Sequence, residues 1–228
     1  MRGAVLHLWL AALLSTVFFA PERTDARSCE YLPIACTYQG KAFTVIVVDS
    51  ETMQPVADVH ALAEWQTVGA HGRNGPLMVQ DAISRADGVL RFPKWGPVAG
   101  PVSGLMIGAD PALTLFKSGY QPVVEGNRVW PPATETEEIR RVGHDGTTIQ
   151  LVPFRGPATS WLKQLRRVAR PQATPSAPED LRKFRTPYIN HFSRVWAEVE
   201  GLPEPLRSEA KREFLMEYYL RILEGAQP

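Results

Sequence analysis

The sequence predicts a mainly β protein: an antiparallel, seven-stranded β-sandwich of Greek-key type, followed by an α-helical C-terminal region. Three observations carry this expectation. Twenty prolines and seventeen glycines supply many turns. Between residues 41 and 153, short β-branched and aromatic runs alternate with turn signals. Beyond residue 153 the apolar spacing lengthens to three or four residues, the period of a helix. With 44% apolar and 21% charged residues, the chain can bury a core.

Each element follows in turn. Phe43, Val45 and Val47 alternate with Thr44, Ile46 and Val48, so both faces are apolar or β-branched, as in a strand buried inside a sandwich. Residues 50–55 end it as a turn. The run 56–68 carries Val59, Ala61, Ala63 and Trp65 on one parity. Gly69, Gly72, Asn74, Gly75 and Pro76 read as a long loop. Ile83 on one side and Val89 with Leu90 on the other flank Ala86, Asp87 and Gly88, a short hairpin. The proline- and glycine-rich stretch 93–104 reads as irregular around Trp95. Leu113, Leu115 and Phe116 form another strand, ended by Ser118 and Gly119. Asp145 and Gly146 turn the chain into 147–152, where Ile149 and Leu151 share a face.

In the C-terminal region, Trp161, Leu162, Leu165 and Val168 predict a helix over 159–170. The stretch 171–178 is a proline-rich linker. Ile189, Phe192, Trp196 and Val199 share a helical face over 181–199, with Pro187 expected to break or kink it. Ala210, Phe214, Tyr218 and Ile222 recur every four residues over 206–223. These apolar faces must dock. Part of the tail is expected on the chain's own sandwich, and the last helix, beyond Pro203 and Pro205, is expected to reach a partner.

Charge limits the function classes. Lys and Arg number 25 against 24 Asp and Glu, which excludes the basic excess of a dedicated nucleic-acid binder. Residues 155–228 carry a net +4 (13 basic, 9 acidic) and residues 27–154 a net −3 (10 basic, 13 acidic). That asymmetry favours docking of the tail on the sandwich or on another protein. An anionic membrane surface is the weaker reading, because the helical faces are not uniformly basic.

The N-terminus reads as an address. Arg2 precedes an almost wholly apolar run over 4–20, then a small-x-small site at Thr24, Asp25 and Ala26. This predicts a signal peptide over 1–26 and a secreted or periplasmic mature chain. An uncleaved N-terminal anchor is the alternative. Cys29 and Cys36 are the two cysteines; in an oxidising compartment they are expected to form a disulfide stapling the segment 27–40. Lipidation of Cys29 is the rival, although Ala26, Arg27 and Ser28 lack the leucine such a site carries.

The order of features over 41–153 resembles the carboxypeptidase regulatory-like, or transthyretin-like (prealbumin-like), sandwich. The motifs are FTVIVVDSETMQPVADVHALAEW, the acidic-glycine turn in ISRADGVLRFP, the segment Lys117, Ser118, Gly119, Tyr120, and the closing strand TTIQLVPF. The resemblance implies a sandwich over 41–156, with the helical tail 157–228 outside it. Gly88 supplies a positive φ, Pro55 stiffens the first loop, and Gly119 reverses the chain so that Tyr120 can cover the sandwich edge.

The chemistries associated with that family lack their residues here. A zinc carboxypeptidase needs His-x-x-Glu; His60 and Glu64 are four apart and share one face of the predicted strand. A transthyretin-like hydrolase needs a Tyr-Arg-Gly-Ser block, which Phe154, Arg155, Gly156 and Pro157 only echo. An intradiol dioxygenase needs closely spaced histidines, and no His-x-His occurs. His71, His144 and His191 read as a loop, a turn and a helix-surface residue. No Gly-x-Ser-x-Gly elbow or phosphate-binding loop is present. Neither catalytic residue, metal nor cofactor is therefore expected. Trp95 and Trp130, in proline-rich loops, are the candidate partner-binding residues, weighed against a role capping the sandwich ends. The expected function is a non-catalytic accessory protein of the bacterial envelope with a protein or glycan partner. The alternatives are a secreted hydrolase built in the loops 69–76, 93–104 and 125–146, or a periplasmic carrier of a small hydrophobic ligand.

Overall fold

The computed structural model describes residues 37–69, 72–100, 104–106, 111–126, 139–140, 142–173, 178–214 and 216–224. Cys29, Cys36, His71, Trp130 and the leader lie outside these residues. Within them the protein is mainly β with a C-terminal helical region. The strands are β1 (Thr37–Gly40), β2 (Phe43–Asp49), β3 (His60–Gly69), β4 (Gly72–Ile83), β5 (Val89–Phe92), β6 (Trp95–Ala99), β7 (Gly104–Met106), β8 (Ala112–Phe116), β9 (Val123–Glu125), β10 (Ile139–Arg140) and β11 (Thr147–Leu151). The helices are α1 (Ala158–Val168), α2 (Pro178–Lys183), α3 (Arg185–Glu200), α4 (Leu206–Glu213) and α5 (Met216–Glu224).

Two sheets enclose the sandwich core. One runs β11-β2-β5; the other runs β4-β3-β8-β9, with β7 paired to the end of β3. A third small sheet, β10-β1-β6, brings Trp95 against the core. The expected all-antiparallel pattern is not what forms: β11 pairs parallel to β2, with Thr147 opposite Val45 and Leu151 opposite Asp49. Val45, Val47, Leu90, Phe92 and Leu151 from the first sheet meet Ala61, Ala63, Trp65, Leu113 and Leu115 from the second, all at most 1% exposed. Phe43 stacks on Phe92 at 4.4 Å and meets Trp65 edge-on at 6.1 Å.

Three local readings are corrected. The glycine-rich stretch after Gly69 is not a long loop. Its residues begin β4, which pairs with β3 through register shifts at Gln66. Such bulges let glycine and proline sit in an edge strand. Within the stretch expected to be irregular, residues 95–99 form β6, which pairs with β1. The turn at 86–88 is not a hairpin: β4 and β5 belong to different sheets, so it is an arch between them. Buried Ser84 pins the crossing, accepting from Val59 N at 2.9 Å and donating to Val56 O at 2.7 Å. Gly88 takes φ +69°, and a Cβ there would lie 2.5 Å from the Val47 carbonyl oxygen, which only glycine avoids.

The edge-covering role of Tyr120 holds. Gly119 takes φ +80°, and the Tyr120 hydroxyl donates to Asp49 Oδ2 at 2.9 Å. Asp49 also accepts from the amides of Glu51 and Thr52, so one carboxylate closes the turn after β2 and holds the tyrosine.

The helices cover the outer face of the β4-β3-β8-β9 sheet. Leu62, Val79 and Phe116 from that face share one core with Trp161, Leu162, Leu165, Tyr188, Phe192, Val195, Phe214 and Ile222. Pro187 does not break the helix. The break lies earlier, at Phe184 (φ −111°, ψ 36°), and Pro187 sits in the first turn of α3, where its missing N–H costs nothing. The four-residue run 210–222 is also interrupted, at Phe214. That break turns Tyr218 outward to 47% exposure and brings Tyr219 against Phe192 at 5.5 Å instead. The last helix is folded back into this core, where Ile222 and Leu223 are each 1% exposed.

Polar contacts tie the layers. Trp161 Nε1 donates to Glu198 at 3.1 Å. Arg166 bridges α1 to Glu209 and Glu213 of α4. Arg194 reaches Asp58 of the sandwich at 3.3 Å.

Trp95 is a core residue rather than a surface one. It is 6% exposed, 5.2 Å from Trp65, and lies so close over Gly40 that a Cβ there would come within 2.3 Å of its indole nitrogen. Gly40→Ala is therefore expected to force the indole aside and cost about 1–3 kcal/mol. Denaturant unfolding checks this; an unchanged midpoint contradicts the packing.

Candidate functional site

Strand β3 is the origin of the site. Its residues 60–67 are all buried, because one face meets the sandwich and the other meets the helices. Alternation sends Ala61, Ala63 and Trp65 to the sandwich core and Leu62 to the helical core. His60 and Glu64 share the parity of Leu62, so a histidine and a carboxyl enter the joint between sheet and helices. Both are 0% exposed.

Glu64 is held from the helical side. Its Oε2 accepts from the Gln172 amide at 2.9 Å, and its Oε1 accepts from the Ala173 amide at 3.3 Å and the Tyr188 hydroxyl at 3.1 Å. The stretch expected as a proline-rich linker is anchored where described: Pro171 and Ala173 are buried, and their neighbour Gln172 hydrogen-bonds the strand. Burial pushes the Glu64 carboxyl up to about 7, against the opposing pull of these three hydrogen bonds. Burial, then the Glu64 charge, also pushes the Tyr188 hydroxyl up.

Four more side chains assemble beside it. His60 Nε2 lies 3.3 Å from Asp81 Oδ2 on β4. Asn190 Nδ2 of α3 donates to the same oxygen at 2.8 Å. Desolvation works against the Asp81 charge, but the hydrogen bonds from His60 and Asn190 outweigh it and hold the carboxyl below its ordinary value. His191 stands with its ring 5.5 Å from that of His60. It donates from Nε2 to the Val168 carbonyl at 2.7 Å, at the end of α1. Burial, then His60, pushes His191 down to about 4. His60 Nδ1 and His191 Nδ1 are buried and, among the described residues, have no hydrogen-bond partner.

Histidine, aspartate, glutamate and tyrosine are the residue types of acid–base chemistry, and here they hydrogen-bond in pairs, His60 with Asp81 and Tyr188 with Glu64, between sheet and helices. Among the described residues, no group of three or more His, Cys, Asp or Glu could hold a metal ion. The cluster approaches the surface only at Asp81 and Asn190. There a shallow groove of about 370 Å3 is lined by Ile83, Asn190, Ser193, Arg194 and Ala197. A second groove, of about 440 Å3, lies at the end of the other sheet, lined by Ala42, Phe43, Thr44, Arg91, Phe92, Pro93 and Asp145.

Several expected positions differ. His191 is not on the helix surface but 1% exposed, because α3 lies with Tyr188, His191 and Val195 against the sheet. His144 is in its turn yet only 5% exposed. Trp95 is packed inside, against Trp65, rather than displayed on a loop surface. Trp130 lies outside the described residues, as do residues 70–71, 101–103, 127–138 and 141 of the loops proposed to hold a hydrolytic site.

Asp81, Tyr188 and Asn190 were not singled out by the sequence reading. A signal existed: a glutamate and a histidine on one parity of an otherwise apolar strand require partners from whatever covers that face.

No family model matches the chain, and no curated protein matches it at a significant level.

Proposed function

We propose that this chain is an exported, non-catalytic binding module of the bacterial cell envelope. In this reading it is a Greek-key sandwich of the carboxypeptidase regulatory-like type, with its helical tail docked on one face and a protein or glycan as partner. The supporting observation is the joint itself. Glu64, His60, His191 and Tyr188 have the chemistry of a reaction centre, yet each is at most 1% exposed, and across the joint Tyr188 donates to Glu64 while the His191 ring meets that of His60. The groove lined by Phe43, Arg91, Phe92, Pro93 and Asp145 belongs to the other sheet and combines apolar and charged lining residues, which suits a protein or glycan partner.

Two measurements test this. N-terminal sequencing of chain recovered from the envelope should begin at Arg27; an intact Met1 in the cytosol contradicts export. A photo-cross-linking residue at position 91 should capture an envelope protein or glycan, while the same residue at position 170 should not. Turnover of an ester, peptide or glycoside panel by the purified chain would favour the hydrolase reading instead.

A further inference from the structure

We propose that Glu64 and His191 form a compensating proton pair: closing the joint places a proton on the Glu64 carboxyl and removes one from the His191 imidazole, so moderate acidification leaves the joint's strength unchanged. This device goes beyond the binding reading and does not depend on it.

The geometry sets both protonation states. His191 Nε2 faces the Val168 carbonyl at 2.7 Å, so that nitrogen carries the hydrogen. Its other nitrogen, Nδ1, is buried without a partner among the described residues. A charged imidazolium would bury an N–H there with no acceptor, so the closed joint holds the neutral ring. Glu64 is 0% exposed, and no described basic side chain pairs with it. Its three donors, Gln172 N, Ala173 N and Tyr188 Oη, are neutral. An ionised carboxylate there lacks a countercharge, which favours the acid form.

The surrounding groups are few. Facing Glu64 are Tyr188 from α3 and, acting through Tyr188, Asp180 from α2 and Tyr219 from α5. Facing His191 are His60 from β3 and Asp81 from β4. Asp81 is held ionised by its own donors.

The linkage signs oppose each other. A carboxyl raised in the folded state to about 7 gives stability that is greatest below its unfolded value and falls as pH rises to about 7. An imidazole lowered to about 4 gives stability that is full above its unfolded value and falls as pH drops toward 4. Between about pH 4.5 and about pH 6.5, the folded chain holds the glutamate proton and the unfolded chain holds the histidine proton. The two slopes cancel in that window.

The test compares unfolding constants of full-length wild type, Glu64→Gln, His191→Gln and the double variant in denaturant. Ratios to wild type remove the contributions of all other titrating groups. From about pH 5.3 to about pH 6.3, the ratio for Glu64→Gln should fall about six- to eightfold, and that for His191→Gln should rise about sixfold. The ratio for the double variant should stay flat. Ratios for the single variants that do not move, or move in the same direction, overturn the proposal. Should a variant fail to fold, side-chain carbon NMR of the wild-type chain at about pH 5.8 decides alone. A protonated Glu64 with a neutral His191 supports the pair; an ionised Glu64 or a charged His191 overturns it.

Discussion

Phe192→Ala is expected to cost about 3–5 kcal/mol of unfolding free energy, the range for emptying a fully buried aromatic site. Phe192 is 0% exposed and stacks between Tyr188 at 5.9 Å and Tyr219 at 5.5 Å, with His191 edge-on at 5.5 Å. It therefore joins α3 to the last helix and stands beside the residue that holds Glu64. The cavity cannot collapse readily, because its walls come from helices already fixed on the sheet. Urea unfolding measures the loss. A change under about 1 kcal/mol would mean that the helical core is loosely packed at this point.

Ending the chain at residue 157 is expected to do more. It removes the cover from Leu62, Val79 and Phe116, which belong to the helical core and not to the sandwich core. It also strands Glu64 and His60, both 0% exposed in the whole protein, on an uncovered sheet face. Charged groups can regain water, but the apolar face cannot, and an exposed sheet face of this kind promotes association. The shortened chain should be recovered as aggregate or as a poorly cooperative species by sedimentation and thermal unfolding. A soluble monomer with an unchanged midpoint would show that the tail is dispensable to the sandwich.

The legible parts of the fold were those set by local chemistry. The apolar alternation of 43–48 predicted β2, the Ser118–Gly119 reversal predicted the Tyr120 contact, and the spacing of Trp161, Leu165 and Val168 predicted α1. Failures arose where tertiary pairing overrode local preference. Gly72, Asn74, Gly75 and Pro76 are turn formers, yet β3 supplies a partner strand and its bulges absorb them. The turn at Gly88 looks the same in sequence whether it joins paired strands or crosses between sheets; the contacts of Ser84 decide it. Tyr218 kept a four-residue period on paper, but the interruption at Phe214 rotated it outward. The polar cluster was half legible. The shared face of His60 and Glu64 follows from alternation alone, whereas their partners arrive from residues 81, 172, 173, 188, 190 and 191, and no local pattern announces them.

Sandwich and helical tail are expected to unfold as one unit, coupled through the joint at Glu64, His60, Tyr188 and His191. The direct measurement is equilibrium urea unfolding of the full chain carrying Trp9→Phe, Trp130→Phe, Trp161→Phe and Trp196→Phe, followed by two signals together. Tryptophan fluorescence then reports on buried Trp65 and Trp95 of the sandwich, while circular dichroism at the helical band reports on the tail. Coincident transitions with one midpoint are predicted. Loss of the helical signal at clearly lower urea than the tryptophan signal would contradict the account, because the helices would then be an appendage that leaves the sandwich intact.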